Sequence, residues 1–233
     1  AEVARQALTI EGCRPAALVP NFKGAQLALE AGGKSIYFVI SASDAHNRAN
    51  VRRTVEESLE EFRHIIDYRD ARPGERAWVG SGIATAFGCT IQGEVPEKRV
   101  IEIAAALAAA GADGINIADT VGYGDPRQVR RLVKAVIDEV APIPVACHFH
   151  DTRGLGLANI LAAVDIGVRS FDASLAGLGG CPFAPSASGN VDTEGAAYLL
   201  ERLGLKTGID LPALMALRQD VERWLPGEQF ARG

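Results

Sequence analysis

The sequence lacks a basic surface, a disulfide framework and a long apolar run. Its 24 Lys and Arg residues are outnumbered by 29 Asp and Glu, and the net charge of −5 argues against a nucleic-acid or membrane partner. The four cysteines include no Cys-x-x-Cys pair, which predicts reduced thiols in a cytoplasmic protein. The longest uncharged apolar run, at 103–112, is too short to cross a bilayer, and no signal segment opens the chain.

The chain also lacks a linker, a low-complexity tract or a block of like charges that would divide it. Hydrophobic residues make up 48% of its 233 positions, which is enough for one sizeable core. We therefore expect a single domain over residues 1–233.

What the sequence does have is a regular alternation of short β-rich runs and longer segments with helical spacing. We predict strands at 16–20, 35–41, 77–84, 114–119, 144–151 and 170–176. We predict helices at 1–10, 21–32, 50–69, 96–110, 126–140, 155–167 and 193–203. Six βα units in regular alternation favour parallel strands.

Two parallel architectures fit this alternation, an open doubly wound sheet and a closed (β/α)8 TIM barrel. An open sheet normally places a Gly-x-Gly-x-x-Gly turn after a strand, and the "GLGG" at 177–180 lacks that spacing. The α/β TIM barrel is favoured because chemically capable side chains follow the strands, where barrel enzymes build their sites. Only six units are visible, so we expect one to two N-terminal βα units to be missing. Candidate substrate contacts at the strand ends are Asn21, Lys23 and Ser174.

Two histidines stand two positions apart in "VACHFHD", residues 145–151. On a strand, His148 and His150 share one face, while Cys147 and Phe149 share the other. Two imidazoles on one face can bind a single metal ion. Histidines satisfied by hydrogen bonds at a strand end fit the same pattern, so the spacing alone leaves both interpretations open.

A glycine-rich segment, "GLGGCPFAPSASGN" at 177–190, follows the last predicted strand and holds Cys181 and Asn190. Its glycines and prolines predict tight turns and a loop able to open and close. An ordinary surface loop with a free thiol has the same composition. Asp119 ends an earlier strand, and its carboxylate either serves the site or accepts hydrogen bonds from loop amides.

Four segments together resemble the 3-hydroxy-3-methylglutaryl-CoA lyase family, which belongs to the metal-dependent TIM-barrel lyases. They are "HFHDTRGLGLANILAAVDIGV", "DTVGYGDP", "PNFKG" and "AGLGGCPFAPSASGN", and the similarity extends over residues 12–227. The His-x-His spacing is shared by the whole superfamily, whereas the Gly-Gly-Cys-Pro loop is more selective for the lyase.

By this resemblance, His148, His150 and Asn190 correspond to metal ligands, and Cys181 and Asp119 correspond to catalytic residues. The resemblance implies bound Mg²⁺ or Mn²⁺, and the donor set is also compatible with Zn²⁺. It further implies an acyl-CoA substrate, a homodimer, and cleavage of 3-hydroxy-3-methylglutaryl-CoA or a close 3-hydroxyacyl-CoA to acetyl-CoA and acetoacetate. We assign the remaining cysteines, Cys13, Cys89 and Cys147, to structure, because free cysteine is usually buried.

The chain departs from the family pattern in three places. The family's Arg-Asp pair after the first strand, whose Asp is a further metal ligand, and the acidic residue after the second strand have no counterpart. "TEG" at 193–195 replaces the usual Thr-Glu-Asp, and residues 43–58 differ from the animal enzymes. Two alternatives therefore stay open: a metal-dependent aldolase or decarboxylase of a 2-oxo acid, and a non-catalytic partial barrel.

Overall fold

The computed structural model describes residues 2–179, 189–228 and 230, and it contains one sheet of six parallel strands. The strands are β1 (Ala17–Val19), β2 (Ser35–Ser41), β3 (Trp78–Ala84), β4 (Ile115–Asp119), β5 (Val145–Phe149) and β6 (Phe171–Asp172). They pair in the order of the chain, so that each strand is hydrogen-bonded to the next one.

Helices connect the strands and continue beyond the sheet. They are α1 (Glu2–Ala7), α2 (Phe22–Glu30), α3 (Asp44–Val51), α4 (Val55–Asp70), α5 (Glu97–Ala109), α6 (Pro126–Val140), α7 (Gly156–Asp165), α8 (Thr193–Arg202) and α9 (Leu211–Trp224), with a 3₁₀ turn at Leu175–Gly177. Within the described residues, none of these helices has the length and apolar composition that crossing a bilayer demands.

The strand order separates the two architectures that the sequence allows. A doubly wound sheet reverses its strand order at a switch point, whereas a barrel adds each strand beside the previous one. The observed order runs from β1 to β6 without a reversal, and the sheet curls into part of a barrel. The predicted TIM-barrel fold is therefore confirmed, with six parallel strands in a curled half-barrel.

Each strand separates an apolar core from a concave inner face. In β2, the side chains of Ile36, Phe38 and Ile40 are almost fully buried in the core beneath the helices. The alternate residues Tyr37 and Val39 line a cavity on the inner face. This alternation is what carries polar side chains into the barrel interior while the outer face stays apolar.

Several predicted boundaries are wrong. The helix predicted at 50–69 covers α4 and only the last two residues of α3, which begins at Asp44 and was not predicted. The helix predicted at 1–10 ends at Ala7. The strand predicted at 170–176 is reduced to Phe171–Asp172. Helix α9 is absent from the prediction, although Asp210 caps its first turn and Pro212 lies in that turn; its residues are mostly exposed, and Arg218 is the one buried residue.

The division between α3 and α4 has a local cause. Arg52 ends α3 in the left-handed conformation, with φ of 59°. Thr54 then caps α4: its hydroxyl accepts a hydrogen bond from the backbone N–H of Glu57, and the Glu57 carboxylate accepts one from the backbone N–H of Thr54. This reciprocal capping box satisfies two N–H groups that would otherwise lack partners.

Replacing Thr54 with Ala removes one half of the capping box. We expect the free energy of unfolding to fall by about 1 kcal/mol, since that is the usual cost of losing a helix N-cap. Urea denaturation followed by circular dichroism measures the change. Thr54→Ser is the matched control because it keeps the hydroxyl, and equal loss in both variants would contradict the capping role.

Candidate functional site

The strand predicted at 144–151 ends at Phe149, and the imidazoles of His148, within β5, and of His150, the first residue after it, both line the cavity on the inner face of the sheet. The ring centroids of His148 and His150 are 5.2 Å apart. Cys147 and Phe149 lie on the opposite face and are fully buried in the core. Burial also raises the pKa of the Cys147 thiol well above its ordinary value, which makes this cysteine a packing residue.

Asn190 lies beside His150 although forty positions separate the two residues in sequence. The two residues form an isolated antiparallel bridge. On either side of it, the Asp151 N–H donates to the Gly189 carbonyl at 3.2 Å, and the Val191 N–H donates to the Phe149 carbonyl at 3.1 Å. The backbone thus places Asn190 beside His150, whose imidazole lies next to that of His148. These are the three residues that the resemblance designates as metal ligands.

The Asn190 side chain is held in a defined orientation. Its amide nitrogen donates to the backbone carbonyl of Leu178 at 2.8 Å. With the NH₂ group engaged in this bond, the carbonyl oxygen is the atom of the amide that can coordinate a cation, as Asn does in metal sites.

Glycine at position 189 is required for this arrangement. A Cβ atom on Gly189 would lie 1.8 Å from the carbonyl oxygen of Gly177, which is far inside van der Waals contact with backbone. Any side chain here would therefore push residues 189–191 away from the end of β5.

A cavity of about 430 Å³ opens on the inner face. Its polar part is formed by residues that converge from β4, β5 and β6, and its apolar wall includes Leu18, Tyr37 and Val39. The polar members on or directly after these three strands are Asn116, Thr120, His148, His150 and Asp172, and α3 adds His46 and Asn50. An apolar pocket with a few convergent polar groups is the usual form of a small-molecule site.

His46 also lines this cavity, and the sequence analysis did not identify it. The residue lies in α3, and its Nδ1 is 2.8 Å from the Ser41 hydroxyl at the end of β2. Burial lowers the pKa of His46, which favours the neutral ring. The available signal was its position five residues after the end of β2, at the end of the barrel where sites form.

Asp119 is buried at the end of β4 and engages the turn that follows. Its two carboxylate oxygens accept hydrogen bonds from the backbone N–H groups of Tyr123 and Gly124, both at 2.9 Å. Burial raises the pKa of the Asp119 carboxyl, and these backbone hydrogen bonds oppose the shift. Its neighbour Thr120, rather than Asp119 itself, lines the cavity.

The candidate substrate contacts lie in three different settings. The Asn21 side chain caps α2 by accepting from the Gly24 N–H at 2.8 Å, and the exposed Lys23 ammonium donates to Gln26. Neither residue lines the cavity described above. The backbone N–H of Ser174 donates to the carbonyl oxygen of Val191 at 3.1 Å, and this bond holds the segment that contains Asn190.

The cysteines fall into separate environments. Cys89 is buried, as expected of a structural thiol, whereas Cys13 is exposed, so the expectation of burial is wrong for that residue. Cys181 lies outside the described residues.

The described donors suit a hard or borderline divalent cation. Two imidazole nitrogens and one amide oxygen supply three of the ligands that Mn²⁺ or Zn²⁺ accepts, and water or substrate oxygens can complete the shell. Among residues 2–179, 189–228 and 230, no cluster of three His, Cys, Asp or Glu side chains is present. The third donor that the resemblance implies, the Asn190 amide, is a neutral group and does not belong to such a cluster.

Comparison with known proteins gives a consistent result. The HMGL-like family matches residues 3–221. The chain is 46% identical to the (R)-citramalyl-CoA lyase of Chloroflexus aurantiacus over 86% of its own length, but it spans 62% of that relative. It is 38% identical to a hydroxymethylglutaryl-CoA lyase of Bacillus subtilis, covering 91% of this chain and 70% of the relative.

A solved structure extends the likeness to the fold. An HMG-CoA lyase from Acinetobacter baumannii, in complex with coenzyme A and 3-methylmalate, superimposes with a TM-score of 0.92 at 39% identity. The superposition covers 99% of this chain and 74% of that chain.

Replacing Gly189 with Ala should separate Asn190 from His150. We expect the affinity for Mn²⁺ to fall by about tenfold or more, since misplacing even a supporting group of a metal site has that effect. Isothermal titration calorimetry with MnCl₂ measures it.

The control for this variant is Gly204→Ala, in which the added Cβ meets no atom within 4 Å. This variant carries the same methyl group without the clash and, despite the strain of its own positive φ, should keep the wild-type affinity. Wild-type Mn²⁺ affinity in Gly189→Ala would show that Asn190 is not a ligand.

Proposed function

The chain belongs to the HMGL-like family, and we propose that it is a divalent-metal-dependent carbon–carbon lyase acting on a 3-hydroxyacyl-CoA thioester. The family match and the curated relatives support a lyase with a CoA substrate. The observation that carries the proposal is the pair of imidazoles of His148 and His150, which line a largely apolar cavity, together with Asn190, which a backbone bridge holds beside His150.

These three residues would hold the cation. A bound divalent cation supplies Lewis-acid polarisation of the substrate hydroxyl and carboxylate oxygens. The donors belong to a strand end and to a segment hydrogen-bonded to it, so the site is fixed by backbone rather than by side-chain packing alone. Such fixed placement is what positions a substrate for reaction.

The reaction we propose is a retro-Claisen cleavage. A base removes the proton of the 3-hydroxyl group, the bond between the carbinol carbon and the thioester α-carbon breaks, and its electron pair forms the enolate of acetyl-CoA. The former carbinol carbon becomes a ketone, and a proton returns to the enolate carbon. Asp119 is our candidate for the first proton transfer and Cys181 for the second, as expected of positioned acid–base groups.

Two substrates fit this chemistry. Cleavage of 3-hydroxy-3-methylglutaryl-CoA releases acetoacetate, whereas cleavage of citramalyl-CoA, whose acid is one methylene shorter, releases pyruvate. Our first choice is 3-hydroxy-3-methylglutaryl-CoA, which is supported by the motif resemblance and by the B. subtilis relative. The higher identity to the C. aurantiacus lyase makes citramalyl-CoA the second candidate.

A paired assay tests the proposal. The purified protein with Mn²⁺ is given each thioester, and acetyl-CoA, acetoacetate and pyruvate are quantified. We expect acetyl-CoA to form together with one keto acid in equal amounts, and EDTA to abolish both. Release of pyruvate alone would reassign the substrate, and no release from either thioester would reject the lyase.

Two alternatives from the sequence are tested by the same preparation. An aldolase or decarboxylase of a 2-oxo acid would bind Mn²⁺ and consume a 2-oxo acid without CoA. A non-catalytic partial barrel would show no measurable Mn²⁺ binding in calorimetry.

The homodimer and the cytoplasmic location stay predictions. Size-exclusion chromatography with light scattering measures the oligomeric state.

Replacing Cys181 with Ala should slow cleavage by at least about 100-fold, because one proton-transfer group is lost. The Mn²⁺ affinity should change little. Cys13→Ala removes an exposed thiol that does not line the cavity of the two histidines and is the control, with an expected wild-type rate. An unaltered rate in Cys181→Ala would remove this thiol from the mechanism.

A further inference from the structure

We propose that Asp172 is a positioning residue for His148, held in turn by Asn116, and that it selects the imidazole tautomer whose Nε2 is free to bind the cation. The inference rests on the proposed function, because it assigns His148 to metal binding. Asp172 has no role in the sequence analysis or in the mechanism above.

The three side chains form a continuous contact on the inner face of the sheet. His148 and Asp172 are register partners on β5 and β6, and the Nδ1 of His148 lies 3.4 Å from the Oδ2 of Asp172. The amide nitrogen of Asn116, on β4, donates to the same Oδ2 at 2.6 Å. A shift of about 0.2 Å would bring the imidazole within ordinary hydrogen-bond range of the carboxylate.

The chemistry of imidazole makes this contact selective. A neutral imidazole carries one N–H and one lone pair, and a carboxylate beside Nδ1 stabilises the tautomer that has its proton there. The lone pair then belongs to Nε2. Asp172 therefore fixes both the ring orientation and the nitrogen that can coordinate.

Asn116 has a setting that packing does not explain. It is only 3% exposed, and its register partners on the neighbouring strands are Gly82 and Ala146. Its carbonyl oxygen has no hydrogen-bond partner among the described residues. A buried amide with one unsatisfied oxygen costs stability relative to an apolar residue. The contact it does make is the bond that orients Asp172.

A purely electrostatic role is the competing interpretation, in which the Asp172 charge attracts the cation from half-exposed surroundings. The two interpretations predict different Mn²⁺ affinities for Asn116→Leu. This variant keeps the charge of Asp172 but removes the N–H that orients it. They also differ for the apo protein, where a tautomer preference is measurable in the absence of metal.

The first experiment records long-range ¹H–¹⁵N spectra of the metal-free protein, which report the tautomer of each ring. The sequence has four histidines, so His148→Gln identifies the His148 signals by their disappearance. We expect the Nδ1–H tautomer of His148 in wild type and a shift toward Nε2–H in Asp172→Ala. The same tautomer in both proteins would overturn the inference.

The second experiment measures Mn²⁺ affinity by calorimetry. We expect a loss of about 10- to 100-fold in Asp172→Ala, a smaller loss in the isosteric Asp172→Asn, and a several-fold loss in Asn116→Leu. Asp138→Asn, which removes a surface charge paired with Lys134, is the control for net charge and should bind as wild type does.

The outcomes separate this inference from the proposed function. Absence of Mn²⁺ binding by the wild-type protein would reject the metal site itself. Wild-type affinity in Asp172→Ala, or in Asn116→Leu, would leave the metal site standing and overturn the positioning role.

Discussion

The site depends on the two-residue period of strand β5. One face of this strand must be apolar because it packs against the helices, and Cys147 and Phe149 meet that demand with complete burial. The other face is thereby fixed, and it carries both imidazoles into the barrel interior. A slip of one residue would exchange the two faces, burying His148 and His150 in the core and exposing Phe149. The register that packs the core therefore also determines where the two imidazoles lie.

The same period explains which parts of the structure were predictable from the sequence. Strand β2 was predicted at its observed limits, because Ile36, Phe38 and Ile40 alternate with residues of the inner face. The regular βα alternation predicted parallel strands. The pairing order of the sheet, by contrast, is a property of the assembled fold, and polar residues at strand ends could only favour the barrel over the open sheet.

The features that escaped prediction depend on contacts distant in sequence or on weak patterns. The bridge between His150 and Asn190 joins residues forty positions apart, and the resemblance, rather than any periodicity, suggested that they meet. His46 and Asp172 are recognisable as candidate site residues only in the assembled sheet, where neighbouring strands bring them to the same cavity. The break between α3 and α4 required recognising Thr54 and Glu57 as a capping box inside an apparently continuous helical pattern.

Asp119 shows how a structural and a chemical role can coexist in one carboxylate. The backbone amides of Tyr123 and Gly124 each donate to one of the two oxygens, and the amide of Gly122 interacts with the same carboxylate. Burial favours the protonated form, as the raised pKa indicates. Reach is the limiting factor, since the adjacent Thr120 lines the cavity and its hydroxyl already accepts from the Thr85 N–H at 2.9 Å. Asp119 alternates along the chain with Ala118 and Thr120, which both line the cavity, so its side chain belongs to the opposite face of β4. A proton relay between that carboxylate and the substrate is therefore part of the mechanism we propose.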